Sequence, residues 1–88
     1  MKHASAKSLE RLAGLLIAIR KCSGLREKKT GIFYRQGKAY LHFHESSEDE
    51  LFADIRLSTD TDFVRHDVST PTSRDKFLEL IERDLWTG

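Results

Sequence analysis

AYLHFHESSEDELFADIRL, residues Ala39 to Leu57, changes residue type at nearly every step and so defines two chemically different faces of one hairpin. Leu41, Phe43, Ala53, Ile55 and Leu57 share one face, and Tyr40, His42, His44, Phe52, Asp54 and Arg56 share the other. A half-buried antiparallel strand pair requires this alternation, because successive side chains on a strand point to opposite sides of the sheet. Matching the two apolar faces sets His42 opposite Asp54, His44 opposite Phe52 and Tyr40 opposite Arg56. The acidic loop Ser46, Ser47, Glu48, Asp49 and Glu50 reverses the chain between the two strands.

Upstream, Ile32 to Arg35 and Lys38 to Glu45 read as strands joined by a tight turn at Gln36 and Gly37. A two-residue turn pairs Tyr34 with Ala39 and Ile32 with Leu41. That register places Ile32 and Tyr34 on the apolar face, and Phe33, Arg35 and Lys38 on the face of the histidines. Arg26 to Gly31 reads as a short basic connector. Before it, Leu9, Leu12, Ala13, Leu16, Ile17 and Ile19 recur at helical spacing between Ser5 and Cys22, and Ser23, Gly24 and Leu25 suit a helix stop. Arg20 falls in that apolar stripe and must reach an acid or the terminal carbonyls, because a buried unpaired guanidinium is very costly.

Downstream, Phe63 to Val68 is a fourth strand whose inward face the pattern leaves open. Thr70 and Pro71 form a helix entrance, and Phe77, Leu78, Ile81 and Leu85 line one side of a helix running to about Trp86. The fold class expected is α+β, two-layered: a four-stranded antiparallel meander with the N- and C-terminal helices packed on one face and the other face open.

With 88 residues, 39% apolar and 33% charged, the chain reads as a single ordered domain over residues 1–88. One cysteine, Cys22, permits neither an internal disulfide nor a CxxC site, which favours a reduced, cytoplasmic setting. The apolar run Leu15 to Ile19 is far short of the ~20 residues that cross a bilayer, and no signal-peptide pattern marks the start, so no membrane partner is expected. Residues 1–40 carry ten Lys and Arg against Glu10 and Glu27, whereas residues 41–88 carry five against twelve acids. Such asymmetry can mark a nucleic-acid-binding half, but strands that interleave in a small sheet neutralise one another.

His42 and His44, two apart on a strand, project to one side with β-carbons roughly 6–7 Å apart, and Asp54 lies across from them. Two imidazoles and a carboxylate can ligate zinc or a related divalent transition metal. His66 joins them only if the fourth strand faces the same way. The plain alternative is a polar sheet face with a His–Asp hydrogen bond. A histidine oriented by Asp54 can also move protons, but an open face offers no water-excluded pocket and no nucleophile or nucleotide motif is present, so no catalytic residue is assigned.

Phe33, Tyr40 and Phe52 set among Arg35, Lys38, His42, His44 and Arg56 suit stacking and phosphate contacts with single-stranded nucleic acid. The acidic loop beside them and the missing RNA-recognition signature speak against that use. The same rings suit association with another protein or a second copy, with Trp86 as a further anchor. Binding through the open face is the reading favoured, with the molecular activity unassigned.

Gly31 to His44, GIFYRQGKAYLHFH, and Leu51 to Leu57, LFADIRL, resemble a pattern in small bacterial proteins of similar length that carry no assigned activity. The resemblance covers about a quarter of the chain, implies a bacterial cytoplasmic protein and transfers no catalytic residue. In element order the chain is also similar to frataxin-like domains, an analogy of topology alone. It departs from them in its first helix, where Glu10 is the single acid.

Overall fold

The structure is a computed structural model that describes residues 2–47 and 49–86. Near its start, α1 (Ala6–Arg11) and α2 (Ala13–Arg20) occupy the stretch expected to form one helix. They meet at Leu12, whose φ of −92° and ψ of 7° tighten a single turn. The Leu12 amide still reaches the Ser8 and Leu9 carbonyls, and its own carbonyl accepts from Leu16, so the axis carries on. Ser5 caps α1 by accepting from the Ser8 amide. α2 is capped at Lys21, still in helical conformation, earlier than the glycine stop expected; Gly24, three residues on, takes φ 91° in the turn that leads to Leu25, a conformation open to glycine at little cost.

The sheet is wholly antiparallel. Its strands are β1 (Lys2–His3), β2 (Leu25–Lys29), β3 (Ile32–Arg35), β4 (Lys38–Ser47), β5 (Glu50–Ile55) and β6 (Val64–Asp67). Their order is β2-β3-β4-β5-β6, with β1 paired to the part of β4 that runs beyond β3. Helix α3 (Pro71–Leu85) follows, entered through Thr70 and Pro71. Thr70 and Ser73 exchange side-chain and backbone hydrogen bonds, which satisfies two of the amides that a helix start leaves open. Both helical layers pack on one side of the sheet, and Leu12, Leu16, Ile19, Leu41, Ile55 and Ile81 lie in one buried cluster between the layers. The α+β class and the placement of both helices are those expected. Among the described residues no helix is long and apolar enough to cross a membrane.

Pairing in the β4–β5 hairpin follows the alternation of its residues: Leu41 faces Ile55, His42 faces Asp54, Phe43 faces Ala53 and His44 faces Phe52. The Arg56 amide donates to the Tyr40 carbonyl at 2.9 Å, continuing the ladder by one step. The turn between the strands is shorter than the acidic loop expected, because β4 persists to Ser47 and β5 starts at Glu50; Glu48 lies outside the described residues.

Four expectations need correction. Leu25, read as part of a helix stop, and residues 26–29, read as part of a connector, form β2, which pairs with β3 through a turn at Thr30 and Gly31. Gly31 sits at φ 79°, and a β-carbon there would come within 2.9 Å of the Leu9 side chain. Glu27 secures this hairpin by accepting from the Gly31 amide and from Arg20 at 2.6 and 3.0 Å, so Arg20 does meet an acid.

The second correction concerns parity. Tyr34 pairs with Ala39 as expected, but Phe33 pairs with Leu41, so Tyr40 is an extra residue on β4 and forms a β-bulge. The shift turns Phe33 toward the helices, where it is 1% exposed. It also puts Arg35 and Tyr40 within reach of α3: Tyr40 Oη donates to Asp84 at 2.9 Å and Arg35 Nη1 to Asp84 at 3.1 Å. Lys38, directly opposite Arg35, shares that side.

Thirdly, β6 settles the register left open. His66 pairs with Ala53 and lies against Phe77 on the helix side, while Arg65 pairs with Asp54 on the other. Lastly, the sheet gains β1 at its N-terminal edge.

Candidate metal centre on the open sheet face

His3 enters the site through the backbone. On the edge of β4 that pairs with β3, the half beyond Leu41 is left free, and β1 fills it so that His3 faces His44. The Ala4 amide donates to the Phe43 carbonyl at 3.1 Å, and the Ser5 amide donates to the buried Glu45 carboxylate. That amide and the Ser5 hydroxyl hold the Glu45 carboxyl below the ordinary carboxylate range. The N-terminal segment is thereby tied to the strand carrying the other two histidines.

Three imidazoles gather as a result. Ring centroids lie 4.7 Å apart for His42 and His44, 4.8 Å for His3 and His44, and 5.8 Å for His3 and His42. One ligating atom from each falls within 4.8 Å of the others. A tetrahedral zinc site with Zn–N bonds of ~2.05 Å needs nitrogens about 3.3 Å apart, so small rotations of the rings suffice. Nδ1 of His42 and Nε2 of His44 are closer, at 2.7 Å, a hydrogen-bond distance at which the tautomers decide which ring donates. Burial lowers the pKa of both rings, and each feels the positive charge a neighbouring histidine would carry. At neutral pH they are therefore uncharged, the form that ligates a metal.

Asp54 stands beside this set. Arg65 grips both of its oxygens at 2.8 Å and, as the main cause, keeps its carboxyl below the ordinary range. Asp54 Oδ2 is also 3.2 Å from Nε2 of His44. The sequence suggests His42, His44 and Asp54 as ligands; the structure brings His3 to the pair as a third imidazole and holds Asp54 between Arg65 and His44. Nδ1 of His44 is buried.

Around the cluster, Phe63 meets His42 edge-on at 4.8 Å and carries the Arg56 guanidinium over its ring at 4.9 Å. Phe52 is half-buried with Arg65 above it at 6.0 Å. His42, His44, Phe52, Asp54 and Arg56 thus share the face opposite the helices. Phe33, Arg35, Lys38 and Tyr40 do not, and the aromatic and cationic platform for nucleic acid loses those four to the helix side. Trp86 is 76% exposed at the end of α3 and lies far from the histidines in the fold, in a groove with Ile17 between α2 and α3.

His3, Phe63 and Arg65 were not singled out from the sequence. For His3 the available signal was a difference in length: a strand from Lys38 to Glu45 outlasts one from Ile32 to Arg35, which leaves backbone groups needing a partner. Comparison with known proteins shows no matching family model, no similar curated protein and no similar solved structure.

Proposed function

We propose that this domain binds a divalent transition-metal ion, with zinc as the reference case, through His3, His42 and His44. The observation that carries the reading is the convergence of three imidazole ligand atoms within 4.8 Å on a rigid sheet. Imidazole nitrogens suit zinc, nickel, cobalt and copper over magnesium or calcium, which prefer oxygen. Three protein ligands leave a fourth position, and His3 is exposed, so that position opens to solvent. Asp54, itself held by Arg65, lies beside Nε2 of His44 and offsets the charge of the ion.

Zinc titrated against a chromogenic chelator is expected to show one site per chain. His3→Ala, His42→Ala and His44→Ala each weaken it by roughly 100-fold or more, while His66→Ala leaves it unchanged. Zinc uptake by His3→Ala equal to that of the unaltered protein would end this reading.

Association with a second copy has its support around Trp86, the further anchor the sequence suggests, rather than on the histidine face. Ile17, 52% exposed, and Trp86 share a groove of about 510 Å³ whose walls also carry Lys21 and Glu82. A two-fold related copy can set each of those charges against its opposite while covering the indole. Light scattering at increasing concentration is expected to show a dimer that Trp86→Ala weakens at least tenfold. A strict monomer at 100-fold concentration range would remove this second reading.

A further inference from the structure

We propose that a cleft where the β3–β4 turn meets residues 57–61 binds a small phosphate monoester. Its volume is about 420 Å³, within the range of ligand pockets, and it is lined by Arg35, Lys38 and Arg56 together with Ser58, Asp60 and Thr61. The β-bulge at Tyr40 creates this grouping. By turning Arg35 and Lys38 to the helix side while Arg56 stays on the histidine side, it brings three cations to the end of the sheet, where the two sides meet.

The acid beneath the cleft is already engaged. Asp84 accepts from Tyr40 Oη, Arg35 Nη1 and the amide and hydroxyl of Ser58, with bonds of 2.6 to 3.2 Å. Asp60 is the remaining acid in the lining. Among the described residues neither Lys38 nor Arg56 forms an ion pair with a carboxylate.

Arg56 is held in place without being used up. One N–H donates to the Ala39 carbonyl at 2.7 Å and its plane rests on Phe63, which leaves the rest of its donor fork for a ligand. A fixed guanidinium beside a free ammonium matches a dianionic phosphate, which takes a forked donor pair and a point charge together. The remaining volume and the hydroxyls of Ser58 and Thr61 accommodate the polyol or sugar part. This site is separate from the histidines, and the inference does not rest on metal binding.

The test uses the full chain, stripped of metal, at low ionic strength. Inorganic phosphate and ribose 5-phosphate are titrated in turn, with ribose as the uncharged control, and backbone amide shifts are followed. Saturable shifts confined to residues 35–40 and 56–61 are expected for both phosphates and not for ribose, with ribose 5-phosphate the tighter. Lys38→Ala and Arg56→Lys, neither of which empties the core, should each weaken binding at least fivefold; Arg56→Lys keeps the charge and removes the fork. Shifts that fail to saturate, that spread over Arg26 and Lys28, or that persist unchanged in both variants would overturn the proposal. Tighter binding of inorganic phosphate alone would overturn the assignment to a monoester.

Discussion

Replacing Phe33 with alanine is expected to cost about 3–5 kcal/mol of folding stability, the range for emptying a well-packed phenylalanine site. Phe33 is 1% exposed and sits in the same buried cluster as Leu41, Ile19 and Ile81. A domain of this size has roughly 5–10 kcal/mol in total, so the variant stands near the limit of folding at ordinary temperature. Phe52→Ala is the matched control. Its ring is half-buried under Arg65 on the opposite face, and its loss should cost about 1 kcal/mol. Chemical denaturation of both variants, with unchanged denaturant dependence, reads the difference directly. Equal, small costs would mean that Phe33 stands on the histidine face and that the bulge at Tyr40 is absent.

Asp84→Asn is expected to cost about 2–4 kcal/mol, although it removes only a charge. An acid in the last turn of a helix works against the helix dipole, so its presence in α3 calls for a reward from elsewhere. That reward is the set of donors from Arg35, Tyr40 and Ser58, which ties α3 to the β3–β4 turn and to the chain after β5. An amide can accept only through its oxygen, and its NH2 would face the Ser58 donors. Arg35 would also lose its counter-charge.

The pH dependence has a definite sign. Burial alone would raise the Asp84 pKa, but the bonds from Ser58 and Tyr40 with the charge of Arg35 outweigh it and hold the carboxyl below its ordinary value. The unfolded chain therefore takes up a proton near pH 4 before the folded one does. Stability from this group is complete above that pH and is lost as pH falls toward the folded value. Asp54, Glu27 and Glu45 are lowered too and act in the same direction. Thermal unfolding from pH 6 to pH 3 should show a falling midpoint, with a shallower fall for Asp84→Asn. A variant with the stability and slope of the unaltered protein would show that the network does not hold α3 to the sheet.

Legibility differed between strands for physical reasons. In β4 and β5 every second residue is apolar and one face is buried, so a slip of one position would bury His42 and Asp54 and expose Leu41 and Ile55. The register was thus readable, along with Thr70 and Pro71 as a helix start. In β3 the run Ile32, Phe33, Tyr34 is apolar on both faces, so either parity satisfies the local pattern. The choice falls to Tyr40, whose hydroxyl reaches Asp84, a residue 44 positions away. Likewise β2, with Arg26, Lys28 and Lys29, has no strand-like composition, and it forms because β3 offers an edge and Arg20 offers Glu27 a partner.

Alternation alone determined that His42, His44 and Asp54 would share one surface away from the helices, since period-two geometry leaves no other way to hide Leu41, Phe43, Ala53 and Ile55. Only the tertiary structure decided that His3 joins them and that Phe33, Arg35 and Tyr40 leave. Strand-edge pairing and a bulge depend on backbone groups and distant partners, and neither imposes a period on the residues that take part.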